Sequence, residues 1–184
     1  MPELSLNILD IAQNAITAHA NLIKINILYN TKSDRLLIQI EDDGCGMTPD
    51  QQKKVIDPFY TTRTTRNVGL GIPFFKMSAE LTGGTLVIDS SPQKGTLIEA
   101  GFGLSHIDRM PLGNIAATMV SLIGANPDLN FVLFVDYDQK SFAADTRLFR
   151  DTLGEIPLSA PQVLEFIENF INENLQSIAK VDIL

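Results

Sequence analysis

The sequence predicts an α/β fold in which helices lie over a meander of strands, and three observations carry that prediction. Apolar residues recur at helical spacing in PELSLNILDIAQNAITAHA and GIPFFKMSAELTGG. Period-two alternation marks NLIKINILYN and RLLIQIED as strands, with TLVIDS and TLIEAGFG following as a hairpin. Glycine and proline punctuate the joins. This order defines a first unit over residues 1–103 and a smaller α/β extension over residues 104–184.

Taken in order, the N-terminal helix carries Ile8, Ile11, Ala12, Ala15 and Ile16 on one face and a stripe of Asn7, Asp10, Asn14 and Thr17 on the other. Two strands follow, separated by TKSD. In the second, Leu36, Ile38, Ile40 and Asp42 share one side, so Asp42 enters from the core side of the sheet. The strand ends in EDDGCGM, Glu41 to Met47. A carboxylate there needs a partner or water, while the glycines permit positive φ and close backbone approach. The combination points to a ligand pocket. Thr48, Pro49 and Gln51 form a capping-box pattern that opens a short helix stopping near Pro58.

PFYTTRTTRNVGLG, residues 58–71, lacks apolar periodicity and is expected to be a mobile loop. The helix after it tolerates Pro73 in its first turn and ends at Gly83. SPQKG turns the hairpin. The extension is expected to hold a helix over residues 112–123, a buried strand in NFVLFVDYD and a helix around DTRLFRDTLG. A final helix after Ser159 would turn Val163, Phe166, Ile167, Phe170 and Ile171 inward.

With 45% hydrophobic residues, the 184-residue chain can bury one sizeable core. Its net charge of −8 argues against a nucleic-acid or anionic-membrane partner. The single cysteine, Cys45, cannot close an intramolecular disulfide, and no signal pattern or long apolar run is present. A cytoplasmic location is expected, and the oligomeric state is left open.

The helix stripe, the strand-end aspartate with GxG, the Thr/Arg loop ending in GLG and the hairpin Gly-Thr occur in the order of one superfamily. From Leu4 to about Gly103 the chain resembles the GHKL (Bergerat-fold) ATPases and is most similar to histidine-kinase ATP-binding domains. The resemblance implies a two-layer α+β sandwich that binds ATP and Mg²⁺. Asn14 resembles the asparagine whose side-chain oxygen binds the ion, a hard cation that takes neutral oxygens alongside phosphate and water. Asp42 resembles the aspartate that accepts a hydrogen bond from the adenine amino group. Gly44 and Gly46 would turn the backbone against the base, with Met47 as apolar contact.

Gly69 and Gly71 would offer backbone amides to phosphate at a helix start. Arg63 and Arg66 are both candidate phosphate clamps. Gly95 and Thr96 match the box in which threonine joins the adenine-binding aspartate. Asp10, one turn before Asn14, stands where water-activating members carry a glutamate; it is either a general base or a solvated carboxylate. LSHIDRMPL resembles the phosphoacceptor box of histidine kinases, making His106 a candidate acceptor. It departs from that box at Ile107 and Met110 and in lying after the catalytic domain. Lys140 is a further candidate phosphate contact. The expected function is a protein kinase or ATPase in bacterial signalling, with a protein as phosphoacceptor or target. The alternative is a non-kinase regulator whose shape ATP controls.

Overall fold

Helix α1 (Leu4–Thr17) packs its apolar face on a sheet that begins with the antiparallel pair β1 (Leu22–Asn30) and β2 (Arg35–Asp42). Ile8, Ile11, Ala12 and Ala15 are buried against Ile23, Ile25 and Ile27 of β1 and Leu36, Ile38 and Ile40 of β2, as alternation and helical spacing require. The computed structural model describes residues 3–57 and 70–179 of the chain.

A short helix α2 (Pro49–Val55) follows, and Thr48 and Gln51 close the expected capping box on each other's backbone amides. Helix α3 (Gly71–Leu81) leads through Gly83, at φ +74, into the hairpin β3 (Thr85–Ser90) and β4 (Thr96–Gly103). Helix α4 (Ile115–Ala125), β5 (Asn130–Tyr137), β6 (Lys140–Asp145), α5 (Thr146–Leu153) and α6 (Pro161–Ile178) complete the described chain. The strands form one mixed sheet in the order β3-β4-β2-β1-β5-β6. β5 lies parallel to β1, with Leu22 opposite Asn130, so the sheet runs across residues 103 and 104 without a break.

Three sequence expectations are corrected. Helix α4 starts at Ile115, because the carbonyls of Pro111 and Leu112 instead accept the Leu4 and Ser5 amides at 3.0 and 2.8 Å. Those bonds occupy orphan donors at the start of α1, which has no side-chain cap. Strand β6 was not expected: KSFAAD is weak in strand formers, and its pairing with β5 follows from Asp138 and Gln139 both turning at positive φ. Phe166 does not face the core. Val163, Ile167, Ile171 and Leu175 do, at four-residue spacing, and Phe166 falls off that line. It is 55% exposed and stacks edge-on against Phe149 at 6.2 Å.

Candidate functional site

The three acids at the end of β2 have three different fates. Glu41 pairs with Lys24 across the strands at 3.2 Å. Asp43 accepts the backbone amides of Asn21 and Leu22 at 2.6 and 2.9 Å, which pins the α1–β1 connection. Asp42 turns inward as the period-two pattern requires and is half-buried. Its Oδ1 accepts the Gly44 amide at 2.8 Å, and the Thr96 backbone amide also bonds the carboxylate. Burial pushes the Asp42 carboxyl above its usual range; the two amides pull it down, and the charges of Asp43 and Glu41 add to the rise. Asp42 is therefore a poorly solvated acceptor at the end of β2.

The loop behind it is interlocked with the β3–β4 turn. Gly46 sits at φ +66, and a Cβ there would fall 2.0 Å from the Ser91 carbonyl oxygen. Gly95 sits at φ +81, and its Cβ would fall 1.9 Å from the Asp42 carbonyl oxygen. Cys45 donates its amide to Ala18 O at 2.9 Å and accepts from Gln93 N at 2.8 Å, so the loop bridges α1 and the hairpin. Gly46→Ala is expected to cost at least ~1 to 3 kcal/mol, lowering the melting temperature by several degrees, since a positive φ and a backbone overlap coincide. An unchanged thermal melt would contradict the interlock.

Gly71 opens α3 directly against α1. A Cβ on Gly71 would lie 2.9 Å from Asp10 Cβ and 3.6 Å from Asp10 Oδ2. The Asp10 carboxylate thus stands at a helix N-terminus, where unpaired amides and the helix dipole favour negative charge. Asp10 is exposed there, and Asn14, half-buried, follows one turn later on the same stripe. Among the described residues no cluster of three or more His, Cys, Asp or Glu is placed to cage a metal. That donor set fits an ion that draws most of its ligands from phosphate and water, with one amide oxygen from the chain. Arg63, Arg66 and Gly69 lie outside the described residues.

Asp42, Gly44, Gly46, Met47 and Thr96 lie together at the end of β2 and the turn beside it, where Gly44 packs against Ala18 just past α1, while Gly71 at the start of α3 lies against Asp10 midway along α1, one turn before Asn14. Two other candidates are not brought there. His106 lies past Gly103, at the opposite end of β4, about 24 Å along the strand from the Thr96 and Asp42 pair. Its Nδ1 accepts the Asp108 amide at 3.2 Å. Lys140 opens the edge strand β6 opposite Tyr137, at that same far end. Two further residues, not expected from the sequence, do join the Asp42 end: Ser90, paired across the hairpin with Thr96, and Gln52 of α2. The Ser–Thr pair is readable once the turn sets the hairpin register, whereas Gln52 carries no signal of its own.

The sequence profile described as histidine kinase-, DNA gyrase B-, and HSP90-like ATPase matches residues 2–106. The signal transduction histidine-protein kinase AtoS of Escherichia coli is 36% identical over 96 residues, 52% of this chain and 15% of that protein. Sporulation kinase E of Bacillus subtilis is 37% identical over 75 residues, 39% of this chain and 10% of that protein. The chain spans less than a fifth of the length of either relative. Among solved structures, the N-terminal domain of a DNA repair protein has a TM-score of 0.50 at 14% identity, covering 80% of this chain and 55% of that one, a likeness of fold alone.

Proposed function

Because this chain belongs to the family of histidine kinase-, DNA gyrase B- and HSP90-like ATPases, we propose that it binds ATP with Mg²⁺ and moves the γ-phosphoryl group to water or to a protein hydroxyl in bacterial signalling. The observation that carries this reading is Asp42: of three acids at one strand end it alone is half-buried and held against the Gly44 amide, while Glu41 pairs with Lys24 and Asp43 with the Asn21 and Leu22 amides. A half-buried acceptor there suits the exocyclic amine of adenine, which supplies the donor that burial demands. Asn14 would hold the ion, which when bound neutralises phosphate charge and orients the γ-phosphoryl group.

The chain's own contributions follow from the geometry. The α3 N-terminus attracts phosphate through its unpaired amides, and Asp10 beside it accepts a proton from a water or hydroxyl. His106, at the far end of β4, is not the acceptor in this scheme. A second reading, an ATP-controlled regulator of a protein partner, is favoured by that same remoteness, because it needs no acceptor on the chain. A protein partner as phosphoacceptor or target belongs to either reading, and a cytoplasmic site of action suits the exposed free thiol of Cys45. Among the described residues no helix is long and apolar enough to cross a membrane.

Calorimetry with ATP in the presence and absence of Mg²⁺ tests the reading. Wild type should bind more tightly with the ion, and Asn14→Ala should remove that increment, about tenfold or ~1.4 kcal/mol, while leaving metal-free binding nearly intact. Equal losses with and without Mg²⁺ would count against Asn14 as ligand, and no binding by wild type would end the ATP reading.

A further inference from the structure

Three segments of the pocket meet at one hydroxyl. Ser90, the last residue of β3, is buried; its Oγ accepts the Met47 amide at 2.8 Å, donates to the Gly95 carbonyl at 2.9 Å and lies 2.9 Å from the Thr96 hydroxyl. A hydroxyl has one proton and two lone pairs. With its proton on Gly95 O, Ser90 accepts from both Met47 and Thr96, and its bonding capacity is filled. The Thr96 proton is therefore committed to Ser90, and it is the Thr96 backbone amide that reaches Asp42.

Gln52 joins the same node from outside the sheet. Its Nε2 donates to the Ser90 carbonyl at 2.7 Å and lies 3.4 Å from the Met47 carbonyl. Helix α2 contains no fully buried residue, and only Val55 packs in part on the core. The Gln52 amide is thus a main tie between α2 and the pocket floor.

We infer that Ser90 and Gln52 are positioning residues for the adenine end of the site. Ser90 holds Met47 and Thr96 in fixed relation to Asp42, and Gln52 fastens α2 to that arrangement. The inference rests on the ATP reading above. It assigns both residues to recognition of the base and gives them no part in holding phosphate, because the node lies on the β2, β3 and β4 side of the pocket and away from Asp10 and Gly71.

The test titrates the full chain, as wild type, Ser90→Ala and Gln52→Met, with adenosine, ATP and Mg²⁺-tripolyphosphate, and follows hydrogen exchange at the Met47 amide. Both variants should bind adenosine and ATP about tenfold more weakly, with tripolyphosphate binding unchanged, as expected for one lost buried hydrogen bond. The Met47 amide should exchange faster in Ser90→Ala. Gln52→Met keeps the length of the side chain at a half-buried position, so it decides the matter where Ser90→Ala fails to fold. Unchanged adenosine affinity in Gln52→Met, or equal losses for adenosine and tripolyphosphate, would overturn the inference. A wild type that binds neither adenosine nor ATP would instead remove the reading beneath it.

Discussion

Asp10→Asn is expected to lower phosphate release from ATP by about 10²- to 10⁴-fold while leaving ATP affinity within a factor of about two, the scale of effect for a lost general base. The amide fills the same space against Gly71, so the α1–α3 contact persists, but it cannot accept a proton at neutral pH. The measurement uses γ-labelled ATP, counting released phosphate and testing any label on the protein for acid lability. His106→Gln is expected to change neither, since the residue lies about 24 Å along β4 from the adenine end of the pocket. Acid-labile label lost only in the His106 variant would reverse this assignment and make the chain a histidine kinase that phosphorylates itself between copies. Absence of both turnover and labelling in wild type would leave the ATP-controlled regulator standing.

Asp42→Asn is expected to weaken ATP binding by about 5- to 150-fold, corresponding to ~1 to 3 kcal/mol for a mispaired buried group. The variant should also separate binding from stability. Burial raises the carboxyl's pKa in the folded chain, so the folded state holds that proton more tightly than the unfolded state does. The ionised carboxylate therefore costs stability at neutral pH, and the cost fades as the pH falls through the raised value. Asp42→Asn removes it at neutral pH, and the nucleotide-free variant should melt no lower than the parent. Adenosine binding needs the ionised acceptor. It should weaken on acidification at a higher pH than an ordinary carboxylate would produce, and Asp42→Asn should lack that step. A variant that keeps full affinity by calorimetry, or that loses stability without nucleotide, would sink the assignment of Asp42.

Much of the architecture was legible because its signals are local. The 3.6-residue period put Ile8, Ile11, Ala12 and Ala15 into the core, and the two-residue period turned Asp42 inward with Leu36, Ile38 and Ile40. The capping box at Thr48 and the glycine beyond α3 likewise follow from backbone chemistry within a few residues. The same local logic failed for Phe166, where one residue of offset on α6 moved an aromatic ring from core to surface.

What the sequence by itself determined, then, was the set of elements apart from β6, the order of the glycine and threonine boxes, and the side of the sheet from which Asp42 enters. The placement of β5 beside β1, the use of Pro111 and Leu112 to cap α1, and the division of labour among Glu41, Asp42 and Asp43 were decided only by the tertiary structure. So were the contact of Gly71 with Asp10 and the joining of Met47, Gln52, Gly95 and Thr96 at Ser90. Each of these links residues distant in the chain, and nothing in local periodicity or propensity specifies which orphan amide, carbonyl or carboxylate will meet which. That choice is made when the whole sheet and its helices bury their apolar faces together and every polar group left inside must find a partner.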